Sequence, residues 1–273
     1  MNLAKSEPLW LWGYFGLVDL VLDGDESLRP RTLAFDIGAS SIKATVLDGA
    51  GRPIVKIRKR KMVYPCTPHA LLDSIVAIAD QLPTAERFGA GFPGLIRSGR
   101  VLTATNLVTL HGPGSPTDSA LEELWLGYQL EEALAESLAK PGVLVNDADL
   151  AALAVSRGRG LEVLVTLGSG FGSALVSNGR LSAHLEMGSL RLGEGVDLDG
   201  WIGEAARKSV GDRIWEERVH DALAQVIALT QCDHLYVGGG NAPRLHRGKL
   251  RELFPQAEVV ESTAGMMGAF LLF

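Results

Sequence analysis

The sequence predicts an α/β protein of two lobes, each a mixed β-sheet with flanking helices, and three observations carry that prediction. The chain has 273 residues, and single hydrophobic cores stop growing at about 250–300 residues. A strand, a glycine-rich turn and a second strand occur at Leu33–Asp48 and again in LEVLVTLGSGFGSALVSNGRL from Leu161. Between and after these two β-meanders stand apolar patterns of helical period. The expected division is an apolar arm and linker over residues 1–30, an N-terminal lobe over 31–127 and a C-terminal lobe over 128–273. The last helix is expected to pack back on the first lobe.

The arm contains Leu9 to Leu22, LWLWGYFGLVDLVL, which is apolar and rich in tryptophan. Asp19 interrupts it, no small-residue cleavage site follows, and the run is short for a bilayer, so it reads as neither a signal peptide nor a membrane span. It is expected to pack on the body or on a partner subunit, or to be an extension left by a misplaced start codon.

From Arg31 the segments TLAFDI, SIKATVL and PIVKIRK read as a meander, with Asp48-Gly49-Ala50-Gly51 closing the second hairpin. Its first turn, Asp36-Ile37-Gly38-Ala39-Ser40-Ser41, has the chemistry of a phosphate-binding loop. Small residues let backbone N–H groups approach an anion, Ser40 and Ser41 add hydroxyl donors, Lys43 adds a cation, and Asp36 suits hydrated Mg²⁺. An ordinary β-hairpin uses the same residues, and both readings stand at this point. The basic run Lys56–Lys61 reads as the solvated face of an edge strand.

Thr67-Pro68 signals a helix start, and the periodic run ALLDSIVAIADQL ends before Pro83. A short strand and sharp turn, RFGAGFPGLI, precede RSGRVLTATN, in which Ser98-Gly99 is a turn. Beyond a Gly/Pro/Ser loop, one long helical pattern runs through Trp125, Leu130, Ala133, Leu134 and Leu138. Val143–Asn146 is a short strand, and Asp147-Ala148-Asp149 supplies the acidic first turn of a helix. After the second meander, with its own hairpin turn at Asn178-Gly179, helices are expected over Ile202–Val210 and Asp212–Leu229. HLYVGGGNAPRL is a strand entering a triple-glycine turn suited to a nucleotide or phosphate, and Ser262–Phe273 reads as a final apolar helix.

Hydrophobic residues make up 47% of the chain and charged residues 21%, the balance of a folded protein. A net charge of −6 offers nucleic acid no electrostatic footprint. Cys66 and Cys232 are far apart and form no Cys-x-x-Cys pair, which points to a reduced, cytoplasmic protein without a thiolate metal site.

Three glycine turns in order, with an Asn-Asp pair between the first two, are far more specific than any one of them. The arrangement resembles the ROK (repressor, open reading frame, kinase) sugar kinases of the actin-like ATPase superfamily, above all their polyphosphate/ATP glucokinase branch. DIGASSIKATVLD resembles the first phosphate motif and TLGSGFGSALVSNGRL the second. YPCTPHALLDSI, GFPGLIRSGRVLTATN and VLVNDADLAAL stand between them in the family's order. The resemblance implies a two-lobed, ribonuclease H-like fold and Mg²⁺-dependent transfer of a phosphoryl group from ATP or polyphosphate to the 6-hydroxyl of a hexose.

By that resemblance Asp147 is the general base, and Asn106, Asn146 and Glu186 bind the sugar. Gly38, Ser40, Ser41 and Lys43, with Gly168, Ser169 and Gly170, cradle the phosphates. Gly238, Gly239 and Gly240 lie against the nucleotide or the polyphosphate tail, and Asp36 holds Mg²⁺ through water. The family's Glu-x-Gly-His motif is here Glu186-Met187-Gly188-Ser189, which leaves the sugar open and argues against a structural zinc. The broken motif favours a second class of function, a sugar-sensing protein on the same scaffold; Asp147 and both phosphate turns oppose it. The expected partners are a small sugar and its phosphoryl donor, with no nucleic acid or membrane, and the apolar arm makes a homodimer the expected assembly.

Overall fold

The computed structural model describes residues 29–192, 195–260 and 262–273, so the arm expected over residues 1–30 lies almost wholly outside the described residues. The remainder builds two five-stranded sheets from the same pattern of strands. In the first, β1 (Thr32–Ile37) pairs antiparallel with β2 (Ser41–Leu47), which pairs antiparallel with the edge strand β3 (Arg58–Lys61). On its other side β1 runs parallel to β4 (Arg87–Phe92), which runs parallel to β7 (Gly142–Asn146). The second sheet repeats this with β8 (Leu161–Leu167), β9 (Phe171–Ser177), β10 (Arg180–Leu181), β11 (His234–Gly238) and β12 (Ala257–Val259), in the order β10-β9-β8-β11-β12. A two-stranded ribbon, β5 (Ile96–Arg97) with β6 (Arg100–Val101), projects beside the first sheet.

Local sequence explains most boundaries. Helix α1 (Pro68–Ala79) starts where Thr67 Oγ1 accepts from Ala70 N and proline takes a first-turn position whose N–H would go unbonded. Asn178 and Gly179, at φ of 49° and 78°, turn β9 into β10 with the twist a two-residue hairpin requires. Asp48 Oδ1 accepts from the N–H groups of Ala50 and Arg52 and closes the turn after β2.

Four expectations are corrected. The strand expected from Pro53 starts only at Arg58, and Pro53 meets Leu47 in an isolated bridge. The long helix is two, α2 (Ser119–Trp125) and α3 (Leu130–Leu138). Gly127 breaks it at φ of 79°, where its N–H bonds Val101 O while Val101 N bonds Tyr128 O. The boundary expected after residue 127 moves, because α3 packs on α1 and β7, and β7 completes the first sheet; the first lobe therefore runs through Asn146. The C-terminal segment Ser262–Leu272 is a 3₁₀ helix, packed on β1 and β4 of the first lobe.

Helix α4 (Asp147–Val155) is the wall the lobes share. Its Leu150 joins Ala34, Leu47, Met266, Ala269 and Phe270 in one buried cluster, while Ala148 and Ala152 pack with Leu164, Ala174 and Tyr236 of the second sheet. Alanines on that face let a sheet approach closely, which is why DADLAALAV shows little amphipathic contrast. The larger cores lie on either side, one around Phe35, Phe88, Phe92 and Trp125, the other around Trp215, Val219 and Leu223. Helices α5 (Leu198–Ile202) and α6 (Glu204–Thr230) border the second, and α6 is interrupted at Gly211, which splits it where the sequence separates Val210 from Asp212. Helix α7 (Arg247–Leu253) precedes β12. Among the described residues no helix is long and apolar enough to cross a membrane.

Candidate active site

A cavity of about 440 Å³ opens between the lobes at the N-terminus of α4. Parallel strand β7 delivers Asn146 and Asp147 to its floor, at the carboxyl end of the strands where open α/β sheets bind ligands. Asn146 caps α4: its Oδ1 accepts from Ala148 N at 2.7 Å, and its Nδ2 donates to Gly94 O at 3.0 Å. Gly91 lets the helix settle there, because a Cβ on it would stand 3.1 Å from Asp147 Cα.

Asp147 Oδ1 accepts from Ala148 N at 2.9 Å, and the carboxylate lines the cavity. Burial and the neighbouring charge of Asp36 push its pKa from 3.8 up to about 7, against the opposing pull of the Ala148 N–H. A carboxylate poised near neutrality suits a general base.

The opposite wall is built by the strand pair β8–β9 and the segment after β10. Gly168, Ser169 and Gly170 form the turn between the strands, and all three face the cavity. Glu186 also faces it, about a third of its side chain exposed. His184 lines the cavity beside Glu186, with Nδ1 2.9 Å from Asp149 Oδ1 and Nε2 3.3 Å from Glu186 Oε1. Burial works against a charge on His184, but hydrogen bonds to the two carboxylates overcome it and hold its pKa at about 9. Asp199, from α5, lines the same cavity and accepts from Phe171 N at 2.6 Å. Burial raises its pKa, partly offset by that N–H.

Of the residues singled out in the sequence, Asp36, Asn106, Asn146, Asp147, Gly168, Ser169, Gly170, Glu186 and Gly239 meet around one cavity. Gly38, Ser40, Ser41, Lys43, Gly238 and Gly240 do not line it. Two of them are committed elsewhere: Gly38 N donates to Ser41 O, closing the turn on itself, and Lys43 Nζ is paired with Asp36 Oδ2 at 2.7 Å. Gly238 is the last residue of β11, paired with Thr166 of β8. Asn146, expected as a sugar ligand, has its amide largely engaged by the helix cap and Gly94.

Sequence reasoning missed Thr103, Thr105 and Asp199 on the cavity wall. It also missed the buried Asn241, whose Nδ2 reaches Glu204 Oε2 at 2.9 Å and Gly168 O at 3.3 Å, tying the second glycine turn to the third and to α6. His184 was visible two residues before Glu186, but its partner Asp149 lies 35 residues away.

For a magnesium ion, the fit rests on Asp36. It lines the cavity near Asp147, and with Oδ2 taken by Lys43 its other carboxylate oxygen would hold a hydrated dication, which would supply positive charge toward a phosphoryl donor. Among the described residues no cluster of three or more His, Cys, Asp or Glu could hold a metal ion by itself.

Residues 32–189 match the ROK family. The chain is similar to a polyphosphate glucokinase of Mycobacterium leprae (strain TN), 30% identical over 264 residues, covering 88% of this chain and 74% of that protein. In structure it is similar to an inorganic polyphosphate/ATP-glucomannokinase from Arthrobacter sp. strain KM, with TM-score 0.71 and 24% identity over 89% of this chain and 98% of that one. It is similar too to a ROK family glucokinase from Streptomyces griseus in complex with glucose and AMPPNP, with TM-score 0.69 and 21% identity over the same shares.

Proposed function

The chain belongs to the ROK family, and from that premise we propose that it is a sugar kinase moving a phosphoryl group from polyphosphate or ATP to the 6-hydroxyl of glucose or a related hexose. The observation that carries the reading is Asp147: a carboxylate with a pKa near 7, at a helix N-terminus, in a cavity between two lobes whose far wall is a glycine turn.

In this reading the sugar lies with its 6-hydroxyl against Asp147 and its anomeric end against Glu186, with Asn106 at the rim. The hydroxyl oxygen attacks the terminal phosphorus, the bond from phosphorus to the donor's bridging oxygen breaks, and the hydroxyl proton passes to Asp147. Ser169 and Gly170 offer backbone and hydroxyl donors to the phosphates from a turn that the Gly168 N–H closes onto Gly170 O, and Gly239 borders the donor tail. Asp36 would hold Mg²⁺ through water, and the ion when bound offsets charge on the donor. Closure of the lobes about α4 excludes water that would otherwise accept the phosphoryl group. Two free, buried cysteines support a reducing, cytoplasmic setting, and a homodimer is part of the proposal.

The test is Mg²⁺-dependent phosphorylation across a hexose panel with ATP and with polyphosphate, comparing wild type with Asp147→Ala. Turnover in wild type that vanishes in the variant is the expected result. A wild type that binds a hexose yet phosphorylates none would make the protein a sugar sensor instead.

A further inference from the structure

Glu186 is held more firmly than a sugar ligand at the edge of a cavity needs to be. Its flanking backbone is pinned to β9, where Ser173 Oγ donates to Leu185 O at 2.6 Å and accepts from Met187 N at 3.2 Å. One carboxylate oxygen, Oε1, meets His184 Nε2. The imidazole is buried, and its other nitrogen meets Asp149, itself buried in the first turn of α4. Asp147 belongs to that same turn. A single helical turn therefore carries one carboxylate that lines the cavity and, through the imidazole, braces a second one that lines it too.

We propose that Asp149 and His184 form a positioning relay that holds Glu186 for recognition of the hydroxyl at the anomeric end of the sugar, fixing the span between that contact and Asp147. The inference rests on the sugar-kinase reading and deepens it. His184 borders the cavity, but both its ring nitrogens are taken by carboxylates, so it works through Glu186, whose Oε2 is left to accept from the sugar. Buried carboxylates such as Asp149 are retained where they are paired and hydrogen-bonded, and here the partner is aimed into the cavity rather than into the core. The titratable groups around the imidazole are Asp149 and Glu186 in direct contact, with Asp147 close enough to feel its charge.

The experiment compares wild type, His184→Ala, His184→Gln, Glu186→Gln and the double variant His184→Ala/Glu186→Gln, on D-glucose and on 1,5-anhydro-D-glucitol, which lacks the anomeric hydroxyl. A hydrogen bond to a charged group is worth roughly a 10- to 100-fold change. His184→Ala is expected to raise KM for glucose by roughly tenfold or more while kcat stays within about threefold. The same variant leaves KM for the anhydro sugar unchanged, adds nothing to Glu186→Gln, and is partly rescued in His184→Gln, whose amide also donates. Equal losses on both sugars, or a fall in kcat that tracks a lowered melting temperature, would make His184 a structural residue and overturn the proposal. If wild type phosphorylates no hexose of the wider panel, the kinase reading fails, while equilibrium binding of glucose to the same variants still decides the relay: unchanged affinity, or no binding by wild type, overturns it.

Discussion

Replacing Asp147 by asparagine should cut activity by orders of magnitude and stabilise the protein, and both effects follow from the same carboxylate. Its pKa is held at about 7 against an ordinary 3.8. The sign follows: a carboxylate raised in the fold contributes nothing adverse below 3.8, and the folded state loses stability progressively as pH climbs toward 7. At about 1.4 kcal/mol per pH unit the full cost at pH 8 is about 4 kcal/mol. Water in the cavity screens part of it, and loss of favourable charge at the N-terminus of α4 offsets about 0.3–1 kcal/mol more. A net gain of about 2 kcal/mol for Asp147→Asn remains, which for a chain of this size raises Tm by roughly 4–8 °C. Thermal unfolding at pH 8 and pH 4.5 reads it: the gap between variant and wild type should be wide at pH 8 and mostly gone at pH 4.5. Turnover should fall by about 10²–10⁴-fold. A variant no more stable than wild type at pH 8, or a pH-independent gap, would refute the argument that this side chain is held partly protonated for its task.

Two further outcomes are expected. Glu162 is buried and accepts from Ser156 Oγ, Arg157 N, Arg159 N and Tyr236 Oη; burial alone would raise its pKa, but these bonds outweigh it and lower it. Glu162→Gln turns an amide donor toward donors and should cost about 2–4 kcal/mol at pH 7 in urea unfolding, a difference that shrinks as pH falls below the ordinary glutamate value of 4.5; a gap constant down to pH 3 would count against it. On the first sheet, Asp36, Lys43 and Lys59 stand side by side across β1, β2 and β3, with Lys61 beside Ser41. Lys59→Gln/Lys61→Gln should raise KM for long-chain polyphosphate by about 3–10-fold, more at low salt, and leave KM for ATP unchanged; equal effects on both donors would exclude a role for this row.

What could be read from the chain were the features encoded within a few residues. The Thr67-Pro68 cap, the Asn178-Gly179 hairpin, the interruption at Gly211 and the placement of Asp147 at a strand-to-helix junction are all local, and all stand in the structure. The repeated meander announced two like sheets, but their fifth strands hid the boundary, because GVLVN is as apolar as any strand of either lobe. Helix α2 and α3 read as one since the residue that parts them, Gly127, answers to hydrogen bonds with Val101 some 26 positions earlier. For the site, motif order gathered nine of its residues around one cavity. The brace on Glu186 and the tie from Asn241 to Glu204 join segments whose side chains carry no periodicity that would pair them.

The last residues of the chain close the first lobe rather than the second. Phe273 sits under the guanidinium of Arg87 at 3.9 Å, and Phe270 and Ala269 cover Ala34 and Leu47, in strands made near the beginning of the chain. That strip also covers Leu150, which lies in the helix whose first turn carries Asp147. Sealing the first sheet and steadying the cavity wall are therefore one packing event, so a substitution that loosens Phe270 is expected to be felt at Asp147 as well as in the stability of the lobe.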